Sequence, residues 1–147
     1  MRIVVVCTGN TCRSPAAEAA IRSAAERAGV SIEVSSAGTS AEEIGAPPTP
    51  VMVDAGRARG LEISGTASQV TPDQLDSADL VLAVDHRSEL FLRSLTALTP
   101  IELLGSYDAS SPIAEIPDPY GADEAVYAAT LERIISAAEA FVASLGD

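Results

Sequence analysis

Short β-branched apolar runs alternate along the chain with longer segments in which apolar residues recur at helical spacing. Residues 2–6, with Ile3-Val4-Val5-Val6, suit a strand buried on both faces. Residues 15–28 are rich in helix formers and predict a helix that Ser14 caps, Pro15 opens and Gly29 stops. Val30 to Ser35 predicts a second strand, followed by a loop over 36–48 that carries Gly38, Gly45, Pro47 and Pro48. Thr49-Pro50 reads as an N-cap and first-turn proline for a helix running to about Arg59 and ending at Gly60. Thr71-Pro72-Asp73-Gln74 repeats that start with a capping-box Gln and opens a short helix ending near Ala78.

Leu80 to Val84 is a third buried strand, residues 86–95 are helical, and Ile101 to Leu104 is the fourth strand. Residues 105–122, with Pro112, Pro117 and Pro119, predict an irregular stretch. Tyr127, Leu131, Ile134, Ala138, Phe141 and Leu145 then mark one face of a long final helix. Strands alternating with helices imply a three-layer α/β fold: a four-stranded parallel sheet with helices on both faces. Ligands of such sheets bind beyond the carboxyl ends of the strands. The loop between the first strand and the first helix lies there.

Composition narrows the picture. The 147 residues fit one domain, 1–147, and 47% hydrophobic content is enough for a sizeable core. No apolar run is long enough to span a membrane, and the first strand starts at residue 2, so neither a leader nor a membrane span is expected. A net charge of −12 disfavours nucleic acid and anionic membranes as partners. Both cysteines sit in one loop, which excludes a disulfide framework and points to a reducing, cytoplasmic setting.

That loop carries the candidate chemistry. Residues 7–15 read Cys-Thr-Gly-Asn-Thr-Cys-Arg-Ser-Pro. Gly9 and Asn10 tolerate the backbone angles of a tight curl, and a curl entering a helix turns its N–H groups toward one point, as a phosphate requires. Arg13 adds a planar fork for two phosphate oxygens, and Cys7 beneath this electropositive bowl is favoured as a thiolate. Thr8, Gly9, Asn10, Thr11, Cys12 and Ser14 complete the cradle, which needs no metal or other cofactor. Cys12 is either packing under the helix start or a redox partner that forms a reversible disulfide with Cys7. His86 reads as a solvated helix start, and Glu42 and Glu43 as an acidic loop flanking the pocket.

The loop resembles the phosphate loop of the low-molecular-weight protein tyrosine phosphatase family. Asp118-Pro119-Tyr120 is similar to the segment in which that family places its general acid. Ser36-Ala37-Gly38-Thr39 and Ser77 to Ala83 match in the expected order, so the resemblance spans nearly the whole chain. It implies a cysteine-dependent protein phosphatase acting through a phosphocysteine. Cys7, Arg13 and Asp118 would be catalytic, the other loop residues would hold phosphate, with Ser14 also placed to donate a hydrogen bond to the Cys7 thiolate, and Tyr120 would line the pocket. Phosphorylated proteins are the implied substrates and inorganic phosphate the product. Family members carry a bracing His after the second helix, where this chain has Thr66.

Within the family, tyrosine phosphatases carry a bulky aliphatic residue at the position of Thr11, whereas the bacterial protein-arginine phosphatases share the run found here. A hydroxyl in the wall can meet the N–H groups of a phosphoguanidinium, which an apolar wall would leave unsatisfied. The substrate reading is therefore phosphoarginine or phosphotyrosine, with a lean to the former. Arsenate reduction on the same fold is the rival. Its thioredoxin-coupled form needs cysteines downstream of Cys12, and there are none; a form using an external small thiol needs none. Asp118 argues against it, because arsenate reduction has no leaving alcohol or amine to protonate.

Overall fold

The computed structural model describes residues 1–146; Asp147, the last residue of the expected domain, lies outside the described residues. The elements run β1 (Arg2–Cys7), α1 (Arg13–Ala28), β2 (Glu33–Gly38), α2 (Pro50–Ala58), α3 (Pro72–Asp76), β3 (Leu80–Ala83), α4 (His86–Leu95), β4 (Ile101–Leu103) and α5 (Glu124–Leu145), with a single 3-10 turn at Leu104–Tyr107 after β4. The four strands form one parallel sheet in the order β2-β1-β3-β4. The chain leaves β1 toward β2 on one side and returns to β3 on the other. The end of β1 is therefore the topological switch point, where a crevice opens beyond the strands.

Alternation along β1 divides the core. Ile3, Val5 and Cys7 face a cluster built with α1, α2 and α5, including Ile21, Met52, Leu131, Ile134 and Phe141. Val4 and Val6 face the opposite cluster with Leu75 of α3 and Leu92 of α4. On α1 the buried positions are mostly alanines, Ala16, Ala17, Ala20 and Ala24 among them, which lets the helix lie close to both the sheet and α5. Phe141 is fully buried and meets the Tyr107 ring edge-on, with centroids 5.2 Å apart. Burial first, then the hydrogen bond to Glu102, pushes the Tyr107 phenol up to about 12.

Local signals explain most boundaries. Gly29 ends α1 in the left-handed region at φ +69°, and its N–H bonds back to Glu26. The Thr71 hydroxyl caps α3, accepting from the Gln74 N–H at 3.1 Å. Two expectations need correction. The second strand runs from Glu33 to Gly38, not from Val30 to Ser35, and so takes the first three residues of the expected loop, because pairing with β1 (Arg2 against Glu33 through Cys7 against Gly38) sets its limits rather than local β-propensity. Ser14 is not the cap of α1. The helix begins at Arg13 after Cys12, and the Ser14 hydroxyl is turned to the cysteine instead.

Candidate active site

β1 delivers Cys7 to the carboxyl edge of the sheet, and the chain then curls through residues 8–12 into α1. The curl needs one left-handed residue, and Asn10 takes it at φ +57°, the only positive φ outside glycine among the described residues. It is held there from behind. The Asn10 Nδ2 group donates to Ser14 Oγ at 2.9 Å and to Ser36 Oγ at 3.0 Å, while Oδ1 accepts from the Ser68 N–H at 2.9 Å. The Ser36 hydroxyl in turn donates a hydrogen bond to Glu18 Oε1 at 2.7 Å. Thr66, at the position where the family resemblance implies a bracing side chain, is exposed; Ser36 and the Ser68 N–H hold Asn10.

This arrangement also directs a proton at the sulfur. The Ser14 hydroxyl accepts from the Asn10 amide and has two acceptors for its own hydrogen, of which Cys7 Sγ at 2.9 Å is nearer than the Ala37 carbonyl at 3.5 Å. The Asn10 N–H points at the same sulfur at 3.3 Å. Both contacts set polar hydrogen-bonding groups directly against the sulfur. The N–H groups of Thr11, Cys12 and Arg13 are given no acceptor by the described residues, and they open the positive end of a 16-residue helix. Gly38 makes the tight loop possible. A Cβ there would lie 2.6 Å from the Thr8 carbonyl and 3.2 Å from Asn10.

Arg13 is buried yet aimed. Its Nη1 donates to Asp85 Oδ2 at 2.7 Å and to the Ile116 carbonyl at 2.9 Å, which leaves Nε and Nη2 for a ligand. Asp85 is fixed in turn as the N-cap of α4, accepting from the Ser88 N–H at 2.8 Å. Burial pushes the Asp85 carboxyl up, but the Ser88 N–H and the Arg13 guanidinium outweigh it and hold the group below the usual carboxylate range. Asp118 stands across the cavity with Oδ2 3.9 Å from Arg13 Nη2; its side chain is 52% exposed. The Cys12 thiol is pushed up to about 12, first by burial and then by the neighbouring Asp118 and Cys7 charges. Cys12 therefore stays protonated beside the nucleophile.

These groups meet in a cavity of about 630 Å³ that Cys7, Thr8, Gly9, Thr11, Cys12, Arg13, Asp118 and Tyr120 line together. Asn10 and Ser14 do not line it; their side chains sit behind the loop. Tyr120 is 87% exposed at the rim, so it packs no core. The segment after β2 forms the far wall and is tied to the loop by Thr39 N–H to the Cys7 carbonyl, Ser40 N–H to Thr8 and Thr49 N–H to Thr11. It brings Glu42 and Glu43 to the cavity, and the Glu43 side chain lies against Gly9.

A buried thiol with two hydrogen-bonding neighbours on its sulfur, an open nest of N–H groups, a half-committed arginine and an exposed carboxylate share one cavity, an arrangement able to hold a phosphoryl group beside a nucleophile. Comparison with known proteins agrees. The family model for low molecular weight phosphotyrosine protein phosphatase matches residues 2–147. The chain belongs to this family. It is 36% identical over 136 residues to the protein-arginine-phosphatase of Bacillus subtilis, covering 91% of this chain and 89% of that one. It is 33% identical over 150 residues to the human low molecular weight phosphotyrosine protein phosphatase, covering 95% and 92%. The solved structure of a YwlE arginine phosphatase mutant with a phosphorylated active-site serine superimposes with a TM-score of 0.89 at 32% identity, covering 100% of this chain and 97% of that one. The family and these relatives are protein phosphatases.

Four parts of this phosphatase site escaped the sequence reading: Asp85, Ser36, the Ile116 carbonyl and Tyr127, a buried residue of α5 whose ring also lines the cavity. Asp85 had a usable signal, since an Asp between a buried strand and a helix is at once an N-cap and a residue at the ligand-binding edge. The others had none. Among the described residues no helix is long and apolar enough to cross a membrane.

Proposed function

We propose that this chain is a protein-arginine phosphatase working through a phosphocysteine at Cys7. The observation that carries the reading is the character of the cavity wall. Thr11 Oγ1 lies within 3.6 Å of where a Gly9 Cβ would be, beside Glu43, and Asp118 and Glu42 line the same cavity. A phosphoguanidinium presents N–H donors, and these acceptors would satisfy them. Unmet, those donors would oppose entry.

The Cys7 thiolate attacks phosphorus in line and the bond to the leaving nitrogen or oxygen breaks. Asp118 gives that atom its proton. The proton matters because the leaving groups are strong bases, about 10 for a phenol and above about 12 for a guanidine. Asp118 then takes a proton from the water that cleaves the phosphocysteine, releasing inorganic phosphate. Arg13 and the loop N–H groups hold the equatorial oxygens throughout. The Ser14 hydroxyl stabilises the sulfur as it attacks and again as it leaves. Phosphorylated proteins are the partners this chemistry requires.

Phosphotyrosine is the second reading, favoured by the Tyr120 and Tyr127 rings on the same cavity. The deciding experiment measures kcat/KM for matched phosphoarginine and phosphotyrosine peptides with wild type and Thr11→Ile. We expect the wild type to prefer phosphoarginine, and Thr11→Ile to move the ratio toward phosphotyrosine by on the order of tenfold or more. A strong wild-type preference for phosphotyrosine sinks the arginine reading.

A further inference from the structure

The carboxylate of Asp118 is poorly held by its surroundings. Among the described residues its one hydrogen bond is accepted from the Tyr120 N–H two residues on, at 3.1 Å, Arg13 Nη2 stands 3.9 Å away, and half of the side chain is in solvent. Its position must come from the backbone that carries it. That backbone belongs to the long segment after the 3-10 turn, which has no helix or strand of its own.

One side chain gathers this segment. Arg133, on α5, donates from Nε to Asp108 Oδ2 at 3.3 Å, from Nη1 to the Glu115 carbonyl and from Nη2 to the Ile113 carbonyl. Three separate points of the segment thus hang on one guanidinium. Asp108 is buried and pre-set to receive it: the Ser110 hydroxyl and N–H hold its carboxyl low, and Arg133 adds to that. Gly105 leaves the room needed, because a Cβ there would overlap the Ala114 carbonyl and come within 3.0 Å of Arg133 Nη2.

From Glu115 the path to the site is short and stiff. Glu115 Oε1 accepts from the His86 N–H at 2.8 Å, and the Ile116 N–H donates to the Val84 carbonyl at 2.8 Å. The Ile116 carbonyl receives Arg13. Pro117 and Pro119 then fix φ on either side of Asp118, so a displacement at Glu115 is passed on rather than absorbed. We infer that Arg133 is a positioning residue for Asp118, setting from the far side of the segment where the acid stands over the leaving atom. This rests on the reading of Asp118 as the general acid. Arg13 has a second holder in Asp85, so loss of Arg133 falls mainly on the acid.

The test is leaving-group dependence in Arg133→Met, Arg133→Lys, Asp118→Asn and the double variant Asp118→Asn/Arg133→Met. For phenyl phosphate, whose leaving group needs a proton, Arg133→Met should lower kcat/KM by about tenfold or more, since small misplacements of a reacting group cost that much. For dinitrophenyl phosphate, which needs none, it should stay within about threefold. Arg133→Lys, whose single ammonium reaches fewer of the acceptors, should fall between, and it decides the matter if the Met variant unfolds. In the Asp118→Asn background the Met substitution should add less than about twofold, because the acid it positions is already gone. Equal losses on both substrates, no loss on either, or a full further loss in the Asp118→Asn background overturns the inference. If Asp118→Asn itself shows no leaving-group dependence, the acid reading fails and the inference falls with it; if only the Arg133 variants lack it, the acid reading stands and the clamp alone is wrong.

Discussion

The two halves of the site are built on opposite plans. The phosphate loop is short in sequence and locked from behind: Asn10 shares hydrogen bonds with Ser14, Ser36 and Ser68, Gly38 admits the close approach, and Asp85 and Ile116 fix Arg13. The acid segment is long, exposed at Asp118 and Tyr120, and held at a few points. The difference follows from the work each does. A cradle for spread anionic charge gains from donors that need not reorganise as the reaction proceeds. In the proposed mechanism the acid that becomes a base must meet a leaving group, let it depart and then meet water, which suits the half-exposed place of Asp118 on the cavity. Cradle damage should therefore cost binding and all chemistry, and acid-arm damage should cost only proton transfer.

The largest expected effect on the cradle side is removal of the nucleophile. Cys7→Ser should lower turnover by at least about 10⁴-fold, measured as phosphate release; full activity would refute the covalent route. Gly38→Ala comes next. Its methyl would push on the Thr8 carbonyl and the Asn10 backbone, so kcat/KM should fall by about 10²-fold and thermal unfolding should shift by about 1–3 kcal/mol. Unchanged kinetics would mean that the loop does not need this approach.

A smaller effect sharpens the comparison through pH. Asp85 is held below the usual carboxylate range, so its stabilising pairing is complete above about pH 4 and is lost as the pH falls through its lower folded value. Asp85→Asn should therefore lower stability at neutral pH and flatten the acid limb of the stability curve. A limb of unchanged steepness would contradict this. The smallest effect concerns Cys12, whose thiol is raised to about 12. The unfolded chain loses this proton first, so stability should decline above about pH 9, and Cys12→Ser should soften that decline. An identical alkaline limb in the variant would show that Cys12 is not the group responsible.

How much of this was legible in the sequence follows the same division. The cradle lies within eight consecutive residues, and local chemistry places it: a buried strand, a Gly-Asn curl, an arginine and a helix start. The alternation of strands and helices likewise gave the sheet and the side on which its ligand binds. Boundaries that depend on pairing were misplaced, as at Glu33, where β1 rather than local preference begins the strand. The supports of the site were invisible for a related reason. Asp85 meets Arg13 across 72 positions, Ser36 meets Asn10 across 26 and Arg133 meets Asp108 across 25. An Arg on a helix or a Ser near a strand end carries no local mark of such a contact. Ser14 carried two readings, a helix cap and a hydrogen-bond partner of the Cys7 sulfur; the cap reading fails, and the hydroxyl lies against the sulfur seven positions earlier.

The division between cradle and acid arm is tested most directly by chemical quench of Asp118→Asn turning over dinitrophenyl phosphate, followed by mapping of the phosphorylated peptide. The cradle should still form the phosphocysteine, because this leaving group needs no proton, while the missing base slows its hydrolysis. The predicted result is close to one phosphoryl group per chain, on the peptide containing Cys7. No phosphoryl group above the blank, or one on a different residue, would contradict it.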